Sequence, residues 1–99
     1  QYLGYAVQKT NFFARPKTDI SIMPNPVFNN ASIIIQAEEL GDINCVLLDM
    51  GGKTIRTYQF KKSSPYVQHI LDMYNVPKGE YILSIRGATI NEAKRILKQ

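Results

Sequence analysis

The sequence has little of what most chemistry requires. It holds one histidine and one cysteine in 99 residues. A single histidine excludes a histidine-based metal cluster. His69 has no acid or nucleophile paired with it in sequence and is expected as an exposed strand residue. The lone Cys45 cannot form an intrachain disulfide, so cysteine usage leaves the redox compartment open. It lies mid-strand on an apolar face, which predicts a buried thiol. A nucleophilic thiol needs an electropositive, accessible setting. No apolar run approaches the roughly 18 residues that span a bilayer, so no membrane-spanning segment is expected. No signal-peptide pattern is visible either. The chain opens with Gln1 rather than Met, so it is expected to be a piece of a longer protein.

Other absences narrow the function further. Asp42, Asp49, Asp72 and Glu80 fall at or near expected turns, but without the D-x-D-x-D spacing of a calcium loop. Turn chemistry is their expected role. "MGGK" lacks the spacing and the following helix of a phosphate loop. No cofactor, no metal and no enzyme activity are expected. The net charge is +4, but the twelve Lys and Arg are scattered; only Lys61-Lys62 and the stretch from Lys94 to Lys98 are dense. A nucleic-acid footprint is more often a clustered stripe with interleaved aromatics. A solvated basic surface is expected instead, and no nucleic-acid partner. Steeply salt-dependent DNA binding would revive that reading.

What is present is a rhythm of strands and turns. Residues 1–18 have no clean period and read as the tail of an upstream domain or a linker, with the boundary around Asn11–Thr18. From Asp19 the pattern alternates. Ile20 and Ile22 share one face of a strand that ends at Pro24-Asn25-Pro26, because prolines donate nothing to a ladder. "ASIIIQAE" is rich in β-branched residues. "INCVLLD" puts Ile43, Cys45 and Leu47 on one face. "DMGGKT" is a glycine hairpin turn. "TIRTYQF", "YVQHIL" and "YILSIRG" follow, the last with Tyr81, Leu83 and Ile85 on one face. Strands at this spacing predict an all-β, Ig-like antiparallel β-sandwich of about seven strands. A domain of this length buries enough core to fold without staples.

The end of the chain, "TINEAKRILKQ", is ambiguous. Thr89 and Glu92 have capping-box spacing, and the last turn carries Lys94, Arg95 and Lys98, where a helix dipole favours cations. Local propensity therefore favours a helix. Context favours a strand: the sheet needs a last member, and so short a helix is marginal in water. The expectation is a terminal edge strand from about Ala93 to Lys98, entered by a polar turn around Ala88–Asn91. Its basic face would be presented to a partner.

In order and spacing, "DISIMPNPVFNN", "DMGGKTI", "NVPKGEYILSI" and "KRILKQ" resemble the C-terminal sorting domain, type A, of the type IX secretion system of Bacteroidetes bacteria. The resemblance covers about residues 19–99. The family's P-N-P matches Pro24, Asn25 and Pro26. Its D-x-x-G-[KR]-x-[VI] hairpin matches Asp49, Gly52, Lys53 and Ile55. Its L-P-x-G-x-Y element matches Val76, Pro77, Gly79 and Tyr81, with Val76 in place of leucine. Its closing basic segment matches Lys94, Arg95, Ile96 and Lys98. Gly51, and the helix-favouring Glu92-Ala93, depart from the pattern.

The resemblance implies a non-catalytic signal that carries a cargo protein from the periplasm across the outer membrane to the cell surface. Its partners would be the translocon with its shuttle proteins, and a surface sortase of the cysteine peptidase class. The sortase would cut just before the domain, within Asn11, Phe12, Phe13, Ala14, Arg15, Pro16, Lys17 and Thr18, where exposed backbone suits proteolysis. This reading expects Gln99, or a residue near it, to be the natural C-terminus. It also expects deletion of Lys94–Gln99 to trap cargo while the sandwich still largely folds. An exposed edge strand also allows pairing with a second copy or a partner strand. The rival is an Ig-like adhesion or carbohydrate-binding module of a secreted protein. Its signature would be an aromatic platform, for which Tyr58, Tyr66 and Tyr74 are the candidates.

Overall fold

The computed structural model describes residues 18–99. Seven strands run in order: β1 (Asp19–Met23), β2 (Asn30–Gln36), β3 (Gly41–Asp49), β4 (Thr54–Lys62), β5 (Tyr66–Asp72), β6 (Gly79–Arg86) and β7 (Asn91–Lys98). Every pairing between them is antiparallel. A three-stranded sheet, β1-β2-β5, faces a four-stranded sheet, β4-β3-β6-β7. The expected Ig-like sandwich is present. Period-two alternation carries it: Ile33, Ile35 and Leu71 on one sheet meet Ile43, Cys45, Leu47, Leu83 and Ile85 on the other. All are fully buried. Burying an aliphatic side chain of this size contributes about 1.5–3 kcal/mol.

The terminal segment is a strand, not a helix, and it starts two residues before Ala93. Local propensity loses because β6 offers a complete ladder, from Arg86↔Asn91 to Gly79↔Lys98. A lone short helix would gain no such tertiary partner. The Thr89 hydroxyl, which a helix would use as its cap, instead donates to Glu39.

One side of the sandwich, between β4 and β5, is closed by long side chains. Tyr58 donates its hydroxyl to the Asp72 carbonyl at 2.7 Å. Arg56 donates to the carbonyls of Asp72 at 3.2 Å and Tyr74 at 2.6 Å. Phe60 stacks on His69 with ring centroids 4.3 Å apart. His69 is thus half-buried and packed, not exposed as its sequence position suggested. The largest surprise is Lys62. Read as part of a basic surface, it is fully buried while Lys61 is exposed. Its ammonium donates to the carbonyls of Ala37, Glu39 and Ser64 at 2.5, 2.7 and 2.8 Å. Three acceptors satisfy its three donors, which is what makes a buried cation tolerable.

Candidate functional site

Strand register decides where the sequence motifs lie. Asp49 of β3 pairs with Tyr81 of β6, and Tyr81 pairs with Ile96 of β7. Gly79 pairs with Lys98. The β3–β4 hairpin, the start of β6 and the end of β7 therefore share one end of the four-stranded sheet. Val27, just after the prolines, forms a parallel bridge with Lys98. The P-N-P turn thus sits at the same end, and motifs scattered over some three-quarters of the chain converge on one pole.

Each motif has a local cause. In the hairpin, one Asp49 carboxylate oxygen accepts from the amides of Gly51 and Lys53, both at 2.9 Å. The Gly52 amide donates to the Asp49 carbonyl at 3.0 Å. Gly52 has φ = 89°, a conformation that L side chains rarely adopt. Gly51 donates within this turn, so the departure at that position leaves the carboxylate-capped hairpin in place. Beyond the β5–β6 turn, the Tyr81 ring is buried and its hydroxyl donates to the Pro77 carbonyl at 2.6 Å. That hydroxyl spans its own turn, giving the buried ring a polar anchor.

The P-N-P turn does more than end a strand. Asn25 donates from Nδ2 to the Arg95 carbonyl and accepts at Oδ1 from the Leu97 amide, both at 3.1 Å. The Val27 amide donates to the Leu97 carbonyl, and the Gln99 amide to the Val27 carbonyl, each at 2.7 Å. Residues 25–27 therefore run along the outer edge of β7 and hold its last turn of ladder. Val27 is fully buried, and sequence reasoning passed over it because the flanking prolines read as a simple strand stop.

Exposure divides the predicted recognition residues. Pro24, Asn25, Pro26, Gly52, Lys53 and Arg95 are exposed. Asp49, Gly79 and Lys94 are half-buried, and Tyr81, Ile96 and Lys98 are buried. Of the closing basic segment, Lys94, Ile96 and Lys98 turn inward, and Arg95 with Leu97 turns outward. The basic face is therefore not the face presented to solvent. Thr18 is exposed at the entrance to β1; the rest of the expected cleavage segment, from Asn11 to Lys17, lies outside the described residues.

The opposite pole carries the other polar cluster. Glu39 accepts from the Ala88 amide at 2.5 Å, the Thr89 amide at 2.6 Å and the Thr89 hydroxyl. The Thr89 hydroxyl is the largest cause holding its carboxyl below the usual carboxylate value; burial, next in size, opposes it, and the backbone amides of Thr89, Ala88 and Ile90 add to the lowering. A Cβ on Gly87 would come within 2.5 Å of that carboxylate, so a side chain there would push the Glu39 carboxylate from its place. Burial pushes the Cys45 thiol up to about 12, and pushes the Tyr58 hydroxyl up as well. A protonated, buried thiol is inert. Among the described residues, no three His, Cys, Asp or Glu side chains group to hold a metal ion. Nor do the three candidate tyrosines, Tyr58, Tyr66 and Tyr74, gather at one place. Tyr66 opens β5 opposite Gln36, whereas Tyr74 lies past its far end and Tyr58 is tied to Asp72.

Comparison with known proteins adds to this geometry. The family model described as the secretion system C-terminal sorting domain matches residues 21–99. No curated protein matches the chain. Among solved structures, the chain is similar to the crystal structure of dimeric latent PorU from Porphyromonas gingivalis, with a TM-score of 0.61 and 16% sequence identity. The likeness covers 93% of this chain and 10% of that one, so the present chain spans about a tenth of its neighbour's length.

Proposed function

The chain belongs to the family of type IX secretion system C-terminal sorting domains, and we propose that it works as a detachable, non-catalytic address on a cargo protein. Type IX sorting domains direct export to the cell surface or the medium in Bacteroidetes. On our reading the cargo waits in the periplasm. There the folded sandwich is recognised by shuttle and translocon proteins. After passage across the outer membrane, a surface sortase of the cysteine peptidase class cuts upstream of β1, within residues 11–18, and the cargo is anchored. Residues 1–18 are then the tail of an upstream domain or a linker, and residues 19–99 form the sorting unit.

The observation that carries this reading is the family match over residues 21–99. The gathering of its motif residues at one pole of the sandwich supports it further. A surface built from three turns and a strand end suits reading by a protein partner.

A reporter with a periplasmic signal and this whole chain at its C-terminus tests the proposal in a Bacteroidetes host. The reporter should reach the surface or medium in the parent strain and stay periplasmic in a strain without the translocon. Its released form should begin or end within residues 11–18 by mass spectrometry. Retention in both strains would overturn the sorting reading, and surface delivery without cleavage would overturn the sortase step.

A further inference from the structure

The P-N-P turn and the terminal strand are 70 residues apart in sequence and joined by four hydrogen bonds in the fold. Asn25 is exposed, yet both ends of its amide are spent on the backbone of β7. Leu97 is the point of convergence: its amide goes to Asn25 and its carbonyl to Val27. A strand end whose backbone is already paired cannot accept a partner strand there, because strand addition needs free N–H and C=O groups. What remains to be read is side chains. On the outward face these are Arg95, exposed, and Leu97, 38% exposed. Pro24 and Pro26 stand exposed beside them.

We propose that the element recognised for export is this composite surface, with Asn25 as the positioning residue that latches β7 and Arg95 and Leu97 as the residues that are read. The proposal rests on the sorting reading above and names its contact. The partner that fits is a protein surface offering carboxylates to Arg95 beside an apolar seat for Leu97. A guanidinium suits such paired, planar recognition. The signal is then a folded shape, not a linear basic tail, and the inward Lys94, Ile96 and Lys98 support it from within.

Two substitutions separate latching from reading. Asn25→Ala removes both side-chain bonds to β7. In the full chain it should speed hydrogen exchange of the Leu97 amide by at least about tenfold, the effect of one or two lost hydrogen bonds. Amides of β2 and β3 should stay as they are, since openings are local. Arg95→Glu leaves the latch untouched, because Arg95 joins it only through its carbonyl; its exchange should match the parent protein. Both should lower export of the reporter fusion at least about fivefold, a loss of the order of one interfacial contact.

Ile33→Val, a core change in the other sheet, is the control for stability alone and should leave export near the parent level. The proposal falls if Asn25→Ala is exported normally despite faster exchange. It falls equally if Ile33→Val loses as much export as Asn25→Ala, or if Arg95→Glu is exported normally. Failure of the parent fusion itself would count against the sorting reading, whereas a working parent with indifferent variants would count against this inference alone.

Discussion

At the residue scale, two charged side chains, Lys62 and Glu39, are held by backbone carbonyls and amides. Lys61 and Lys62 look equivalent as neighbours in a strand, but alternation sends one outward and the other into the gap between sheets. Lys62→Met would keep the stem and delete the ammonium, leaving the carbonyls of Ala37, Glu39 and Ser64 without their donor. We expect a loss of about 3 kcal/mol in urea unfolding, the range for orphaning buried groups around a charge. Glu39 sets an acid dependence. Its carboxyl is held low in the folded chain, so its contribution is complete above the unfolded carboxylate value. That contribution is lost as pH falls through the folded value. Unfolding free energy should therefore drop more steeply from pH 7 to pH 3 in the parent than in Glu39→Gln, a difference measurable by denaturation at each pH. Neither role was legible in sequence, because Glu39 and Thr89 are 50 residues apart.

At the element scale, the β3–β4 hairpin and β7 make a contrast. The hairpin is local, and "DMGGKT" announced it: the carboxylate cap and the positive φ at Gly52 are met within five residues. A Cβ on Gly52 meets open space, so Gly52→Ala tests backbone strain alone. It should cost about 1–2 kcal/mol and lower the thermal midpoint by several degrees. Gly52→Asn should cost less, since asparagine tolerates positive φ better. β7 is the opposite case. Its own residues favour a helix, and its conformation comes from β6 on one edge and Asn25–Val27 on the other. Reading it as a strand required the rest of the chain to be counted first.

At the scale of the whole molecule, the terminal strand is both core and signal. Ile96 is fully buried and Lys98 nearly so. Deleting Lys94–Gln99 therefore removes a core side chain and uncovers Val27, so a sandwich that still largely folds would do so at reduced stability. We expect the truncated chain to lose at least about 3 kcal/mol, the usual cost of emptying a large aliphatic site, and to melt at least about 10 °C lower by circular dichroism. Trapped cargo after such a deletion would mix misfolding with lost recognition, which is why single outward substitutions are the sharper test. The sequence by itself determined the strands, their turns and the inward set of apolar residues, because a period of two and a glycine hairpin are local facts. Only the tertiary structure decided that Lys62 is buried, that Glu39 ties a distant loop, and that Asn25 holds the terminal strand. Those depend on which backbone groups meet across 25 to 72 residues of intervening chain. Alternation fixes which face a side chain takes, but only the register of paired strands fixes what it meets there.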